Sequence, residues 1–131
     1  MVLRIVRLGT PRAADEGLRI GTVRRPPRGV PKAAFASQDW YDCWYPNLAP
    51  SAETMLLGQA AQASGLAKDW TGFRKKYLSE MNTTDASRNL DLLAALSHGA
   101  NLSVGCYCED ESRCHRSLLR DLLAARGASL A

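Results

Sequence analysis

The chain begins with two short apolar runs that are separated by polar turns. Val2–Leu8 is rich in branched side chains and ends at the Gly-Thr-Pro sequence of residues 9–11. The second run, Leu18–Val23, must end before Pro26, because proline has no N–H to donate to a neighbouring strand. Both runs are therefore predicted to be β-strands.

Residues 24–50 show no sustained hydrophobic period. The segment holds five of the six prolines of the chain, and proline interrupts both helices and sheets. A long, ordered loop is predicted here, and its turn at Pro27-Arg28-Gly29 can present Arg28 toward the ends of the strands.

The region after Pro50 has the spacing of amphipathic helices. Ser51 is a suitable N-cap for a first helix that stops near Gly65. A second helix is predicted to begin after Asp69, because apolar residues recur there at steps of three and four. These inward-facing residues are Trp70, Phe73, Tyr77 and Met81.

A third helix is predicted to follow without a long connection. Thr84 or Asp85 can cap its start, and the sequence His98-Gly99 can end it. Its predicted apolar face is formed by Leu90, Leu93, Ala94 and Leu96.

The end of the chain predicts a strand that runs into a helix. Leu102–Tyr107 is short, apolar and bounded by polar turns, as a buried strand is. Asp110 or Ser112 would cap the final helix, and Gly127 would end it. The inner face of this helix holds Leu118, Leu119, Leu122 and Leu123.

This order of elements predicts the α/β class. It implies one domain over residues 1–131, with a small, mostly parallel sheet flanked by helices and the late strand at its centre. A chain of 131 residues, 46% of them hydrophobic, is long enough to bury a core without cross-links. In open α/β sheets, ligands bind beyond the carboxyl ends of the strands.

Charge and composition limit the environment and the partners. Seventeen basic against thirteen acidic side chains leave a net charge of +4, which permits phosphate-bearing partners without requiring them. No apolar run is long enough for a signal peptide or a membrane span, so a cytoplasmic protein without a membrane partner is expected. Four cysteines in such a chain are typical of thiols or ligands in a reducing compartment. Neither a cofactor nor an oligomeric state is indicated.

Three of the four cysteines lie close together, in the sequence GCYCEDESRCHRS. Side chains alternate along a strand, so Cys106 and Cys108 are expected to point the same way. Cys114, His115 and Arg116 would fall in the first turn of the final helix, where free backbone N–H groups favour anions. A thiol in such a place ionises more easily.

The stretch allows three interpretations, and the first is a thiol-dependent enzyme. Cys114 or Cys106 would be the nucleophile, with His115 as its partner. Arg113 or Arg116 would hold a phosphate or another oxyanion at the helix N-terminus. The candidate catalytic residues are therefore Cys106, Cys114 and His115.

The second interpretation is a metal site, and the third is a structural role. Zinc accepts the residue types found at Cys106, Cys108, Cys114 and His115, with Cys43 as a remote alternative ligand. The usual zinc knuckles pair their cysteines as Cys-x2-Cys, which this stretch lacks, so no metal ligand is assigned. Buried free cysteines also commonly serve as small apolar side chains.

The same residues resemble a known family of domains of unknown function, DUF488, and in particular its short YeaO-like branch. Members have an apolar strand ending in Cys-x-Glu, an acidic loop, and Cys-His-Arg opening a helix. Cys106, Cys114, His115 and Arg116 match this pattern, whereas Cys108 stands where the family has an acidic residue. The resemblance implies a compact α/β domain, usually bacterial, and brings no established reaction.

The resemblance extends over most of the chain. The branch has a strand leading into Asp-Arg-x-Trp-Pro-Arg-Gly, and this chain is similar at Arg24, Pro27, Arg28 and Gly29. The segments APSAET and FRKKYLSEM are similar to the helices that follow in the family. The candidate anion-binding residues are Arg24, Arg28 and Arg116.

Basic and aromatic side chains are concentrated in the long loop, where five of the nine aromatic residues fall in eleven positions. Such aromatics either anchor a loop or stack on bases. The favoured hypothesis is a small α/β protein with an anion- or phosphate-binding Cys-His-Arg site, a thiol-dependent enzyme acting on a nucleotide or nucleic acid. The alternatives are a non-catalytic nucleic-acid-binding module and a zinc-binding structural protein.

Overall fold

A four-stranded, all-parallel sheet forms one layer of the protein in the computed structural model, which describes all 131 residues. The strands are β1 (Leu3–Arg7), β2 (Leu18–Gly21), β3 (Cys43–Trp44) and β4 (Leu102–Cys106), and their order in the sheet is β1-β4-β2-β3. All five residues of β4 are buried, because β1 and β2 pair with it on either side. The α/β class and the central position of the late strand are confirmed.

Strand β3 lies inside the segment that was predicted to be a loop. It has only two residues, both exposed, and it pairs with Ile20 and Gly21 at the edge of the sheet. So short a strand carries no hydrophobic period, and its sheet pairing is made only when the chain folds back beside β2.

The protein has four α-helices, and none of them is long and apolar enough to cross a membrane. They are α1 (Ala52–Ser64), α2 (Ala67–Met81), α3 (Thr84–Leu96) and α4 (His115–Ala125). Helix α1 has the predicted ends: the Ser51 side chain accepts a hydrogen bond from the Thr54 N–H, and Gly65 adopts the left-handed conformation.

The bounds of three helices differ from the predictions. Helix α4 begins at His115 with Cys114 as its N-cap, because Asp110, which was predicted to cap this helix, caps a separate 3-10 turn at 111–113. Helix α2 begins at Ala67, two residues before Asp69, because Leu66 takes the extended conformation of an N-cap. Helix α3 is preceded by Thr83 and ends at Leu96. Leu96 is 43% exposed and does not belong to the core, so its prediction as part of the inner face of α3 was wrong.

The main core lies between the helices and the sheet. It contains fourteen buried residues, and Ile20 and Val104 of the strands meet Leu119 and Leu123 of α4 there. Each large apolar side chain buried in this way contributes about 1.5–3 kcal/mol. The leucine stripe of α4 is thus the contact that holds the start of this helix against the carboxyl end of β4.

A second, smaller cluster lies at the carboxyl ends of the strands. It consists of Leu8, Val23, Tyr41, Cys106 and Cys114. The loop of residues 24–50 closes over this region, and the ring of Tyr41 packs so closely on Gly21 that a side chain at Gly21 would overlap it. Two of the four cysteines are therefore buried at the edge of the sheet where ligands usually bind.

The aromatic side chains of the long loop make the contacts of anchors. Trp44 donates a hydrogen bond from its indole N–H to the Val23 carbonyl at 2.8 Å, and Tyr45 donates to Asn89 at 2.6 Å. Phe35 and Tyr41 meet edge to face, with 5.2 Å between the ring centroids. Trp40 lines the cavity at the carboxyl ends of the strands.

Candidate functional site

The carboxyl ends of β1, β2 and β4 open onto a cavity of about 890 Å³. Cys106, Cys114 and His115 line it, together with residues of the loop 24–50 and of helices α1 and α2. A volume of this size lies within the range of small-molecule sites. The three candidate catalytic residues are thus brought together at one cavity.

The two buried cysteines are in direct contact. The Sγ atoms of Cys106 and Cys114 are 2.6 Å apart, both residues are 2% exposed, and no disulfide joins them. Cys106 is the last residue of β4, and Cys114 is the residue before α4. The connection is short and tight because Asp110 caps a 3-10 turn at 111–113, which returns the chain to the strand end.

The cysteine pair carries an asymmetric charge. Hydrogen bonds from Cys106 and Cys108, with the backbone N–H and positive charge of Arg116, outweigh burial and hold the pKa of Cys114 well below its usual range. Hydrogen bonding to Cys108 and Cys114, together with burial, raises the pKa of Cys106. At neutral pH the arrangement therefore favours a Cys114 thiolate beside a protonated Cys106.

His115 is held as a neutral imidazole. Its Nε2 lies 2.7 Å from the Thr22 carbonyl oxygen, so this nitrogen carries the hydrogen and donates it. The unprotonated Nδ1 then faces the Sγ of Cys114 at 3.6 Å. Burial lowers the pKa of His115 to about 4. His115 is consequently a weak proton acceptor, and the charge of the thiolate comes from other neighbours.

Arg116 stands behind the thiols and does not face the cavity. Its Nη2 donates a hydrogen bond to the Cys108 carbonyl, and its Nε, although buried, has no hydrogen-bond partner. Burial alone would lower the pKa of Arg116, but the charge near Cys106 and Cys114 raises it. Arg116 is therefore not among the residues that line the cavity, and its charge acts on the neighbouring sulfur atoms.

Arg24 and Arg28 both line the cavity, but they differ in how they are held. The Arg24 guanidinium donates to the carbonyl oxygens of Pro46, Ala49 and Pro50, and so fixes the loop above the cavity. Arg28 is exposed and has no hydrogen bond or ion pair from its side chain within the chain. Its guanidinium is therefore free for a ligand.

Three further arginines line the cavity: Arg7, Arg25 and Arg113. Arg7 is the last residue of β1 and pairs with Glu109 at 3.5 Å, while the guanidinium of Arg113 lies 5.8 Å from the centroid of the Trp70 ring. Sequence reasoning did not select Arg7. The signal for it was its place at the end of a strand, which has meaning only once β1 is known to lie next to β4.

The acidic loop leaves the cavity free of carboxylates. Glu109 pairs with Arg7, Asp110 accepts hydrogen bonds from Ser112, and Glu111 pairs with Arg120 at 2.9 Å. No aspartate or glutamate belongs to the residues that line the cavity. An anion in the cavity therefore contacts none of the three carboxylates of this loop.

One group of side chains has the spacing of metal ligands. The ligand atoms of Cys106, Cys114 and His115 all lie within 4.8 Å of one another. His115 resembles a metal-binding histidine in donating its other ring N–H to a backbone carbonyl. Cys43 is exposed on β3 and does not belong to this group.

These features define a parallel α/β protein with a paired-thiol site at the carboxyl end of its central strand. A family model described as the active DUF488-N3 subclade, DUF488-N3a, matches residues 3–127. The chain therefore belongs to the DUF488 family, and the resemblance drawn from its motifs is confirmed at this level. No curated protein and no solved structure matches the chain.

Proposed function

We propose that this protein is a thiol-dependent enzyme of the cytoplasm that acts on a phosphate-bearing substrate, a nucleotide or a nucleic acid. The observation that carries the proposal is the composition of the cavity. A contacting pair of cysteines opens into a space lined by five arginines and no carboxylate. Such a site attracts anions and offers them a nucleophile in the same place.

Cys114 is the proposed nucleophile, because it is the thiol whose charged form the site stabilises. Cys106 keeps the proton that the pair shares and so supports the thiolate by a hydrogen bond. The neutral ring of His115 lies between the Thr22 carbonyl and the Cys114 sulfur, and it presents Nδ1 to that sulfur. In this scheme His115 positions the nucleophile and does not deprotonate it.

The arginines and two aromatic rings support a nucleotide-like substrate. Arg25 and Arg28 have guanidinium groups without partners in the chain, and guanidinium binds phosphate oxygens in a bidentate manner. Trp40 and Tyr107 both line the cavity and meet edge to face, with centroids 5.8 Å apart. An aromatic ring beside a phosphate site provides a surface on which a base stacks.

The pH profile of Cys114 alkylation tests the proposal. Trypsin releases Cys114 in the fragment 114–116, so its reaction with iodoacetamide can be followed separately from that of the other cysteines by mass spectrometry. We expect Cys114 to react at pH values well below about 8.5, the pKa of an ordinary thiol. A nucleoside triphosphate should slow this reaction. Exposed Cys43, in the fragment 33–68, is the control within the same molecule.

Two results would reject the proposal. One is a Cys114 that reacts only near the pH of an ordinary thiol, because no activated nucleophile would then exist. The other is alkylation that inorganic phosphate, nucleoside phosphates and oligonucleotides all leave unchanged, because the cavity would then bind no phosphate.

A zinc-binding protein is the second candidate function, carried by the spacing of Cys106, Cys114 and His115. Cys108 also lines the cavity and is the cysteine nearest to Cys106 in the chain, so it is the proposed fourth ligand of a tetrahedral site. Elemental analysis of the purified protein decides between the two functions. About one zinc per chain, lost in Cys108→Ala, favours the metal, and far less than one zinc in the unaltered protein removes this candidate.

A further inference from the structure

The contact between the buried thiols is close to the geometry of a covalent bond. The sulfur atoms of Cys106 and Cys114 need to approach only from 2.6 Å to the about 2.05 Å of a disulfide. Both residues belong to well-packed elements, one at the end of β4 and the other at the start of α4. A bond between them therefore requires side-chain rotation and no rearrangement of the fold.

The two thiols also differ in the way that a stepwise oxidation requires. Cys114 is the N-cap residue of α4, where the free backbone N–H groups of the first turn favour a thiolate, and the thiolate is the form that attacks an oxidant. Cys106, at the end of β4, lies against the same sulfur. Both thiols face the cavity, so a small molecule that enters the cavity reaches Cys114 although the residue is buried.

We propose that Cys114 and Cys106 form a reversible disulfide when a hydroperoxide enters the cavity. The Cys114 thiolate attacks one peroxide oxygen and the O–O bond breaks, which leaves a sulfenic acid on Cys114 and an alkoxide or hydroxide that takes a proton from water. Cys106 then loses its proton and attacks the Cys114 sulfur, so that the S–S bond forms and the hydroxyl group leaves as water.

The electrons of this reaction balance. The peroxide gains two electrons, and the two thiols together lose two. A dithiol such as dithiothreitol reverses the bond by exchange. The inference rests on the ionised Cys114 of the proposed function, and the disulfide would switch that function off by consuming the nucleophile.

Peptide mapping after treatment with hydrogen peroxide tests the proposal. Trypsin cleaves after Arg88, Arg113 and Arg116, which places Cys106 and Cys108 in the fragment 89–113 and Cys114 in the fragment 114–116. We expect these two fragments to be cross-linked after oxidation and to separate after dithiothreitol. Cys108→Ser is the matched variant, since it leaves Cys106 as the only cysteine of the larger fragment.

The second variant, Cys106→Ser, should retain the first step and lose the second. We expect dimedone to label the sulfenic acid on the fragment 114–116, and the cross-link to disappear. A cross-link that persists in Cys106→Ser and is lost in Cys108→Ser would overturn the proposal, because Cys108 would then be the partner of Cys114.

The experiment separates this inference from the proposed function. If Cys114 of the unaltered protein is alkylated below the usual pH and protected by nucleotide, but neither this protein nor Cys108→Ser forms the cross-link with peroxide, the disulfide is rejected and the function stands. If the cross-link forms but no phosphate compound protects Cys114, the disulfide stands and the function is rejected.

Discussion

Two buried polar clusters each include one residue of the central strand β4, Ser103 in one and Cys106 in the other. Only the cluster with Ser103 has all its hydrogen bonds made. The closed cluster consists of Glu16, Arg19 and Ser103. Arg19 donates to both carboxylate oxygens of Glu16 at 2.7 and 2.9 Å, and Ser103 donates to the same carboxylate at 2.8 Å. The remaining Arg19 nitrogen donates to the carbonyl oxygens of Thr10 and Asp39. Every charged atom of this cluster has a partner.

The open cluster, formed by Cys106, Cys114 and His115, lies at the carboxyl end of the same strand. The Nδ1 of His115 faces only a sulfur atom, and the nearby buried Nε of Arg116 has no hydrogen-bond partner. This cluster borders the cavity, whereas no member of the closed cluster does.

The difference distinguishes a cluster whose hydrogen bonds are complete from one that is open to a ligand. Buried charge is tolerated where its hydrogen bonds are complete, and such a cluster stabilises the fold. Incomplete hydrogen bonding beside a cavity leaves donors and acceptors for a ligand. We expect changes in the closed cluster to affect mainly stability, and changes around the open cluster to affect reactivity and binding.

The largest effect is expected from Glu16→Gln, which leaves the buried Arg19 without a counter-charge. The free energy of unfolding should fall by about 3–5 kcal/mol, as measured by urea denaturation. The matched control is Asp15→Asn, because Asp15 is 71% exposed and pairs with Arg4 at the surface. That variant should lose at most about 1 kcal/mol, and equal losses in both variants would contradict the distinction.

The two clusters should also lose stability in different pH windows. Burial lowers the pKa of His115 from 6.5 to about 4. The unfolded chain therefore takes up this proton first, and stability falls as the pH drops from about 6.5 to about 4. Burial alone would raise the pKa of Glu16, but hydrogen bonds from Arg19 and Ser103 lower it from 4.5 to about 2. Its contribution is lost below about pH 4.5.

Each window corresponds to about 3 kcal/mol. Urea denaturation at a series of pH values measures both. His115→Asn should flatten the upper window and leave the lower one, and Glu16→Gln should do the reverse. A single transition that responds to both variants would show that the clusters do not titrate independently.

A smaller effect is expected from Arg116→Gln, which removes the buried charge next to Cys114. The midpoint of the pH profile of Cys114 alkylation should rise by at least about one pH unit, because the thiolate loses an opposite charge. Arg120→Gln is the control on the same helix, since Arg120 pairs with Glu111. An unchanged midpoint in Arg116→Gln would mean that the cysteines set the charge of Cys114 alone.

The smallest effect concerns the free guanidinium of the cavity. Arg28→Gln should weaken binding of a nucleoside triphosphate about tenfold, or about 1.4 kcal/mol, and leave stability unchanged. Protection of Cys114 from alkylation at increasing nucleotide concentration measures the affinity. The control is Arg88→Gln, because Arg88 is exposed on α3 and does not line the cavity. Equal affinities in the two variants would remove Arg28 from the site.

Local signals in the chain predicted most of the helices and strands. Ser51 and Gly65 mark the ends of α1 because capping depends on neighbouring residues alone. Leu96 was wrongly placed in the core, since helical spacing predicts a face but not how far the neighbouring helix covers it. Strand β3 was missed because the pairing of Cys43 with Ile20 joins residues far apart in the chain.

The candidate site was predictable only where its residues lie close together in the sequence. The zinc interpretation grouped Cys106, Cys108, Cys114 and His115, because they fall within ten positions of the chain. The direct contact between Cys106 and Cys114 was not predicted, because it depends on the 3-10 turn that returns the chain to the strand end. The direction of the Arg116 side chain was not predictable, because it depends on the Cys108 carbonyl and the packing of α4. Arg7 was missed because β1 reaches the site only through its pairing with β4.

The sequence by itself determined the family, the α/β class and the candidate residues of the Cys-His-Arg motif, because hydrophobic period, helix caps and this motif are local patterns. Only the tertiary structure decided which thiol holds the charge, which arginines face the cavity and where the acidic loop points. Those properties depend on distances between segments remote in the chain, and electrostatic and hydrogen-bond energies change steeply with such distances.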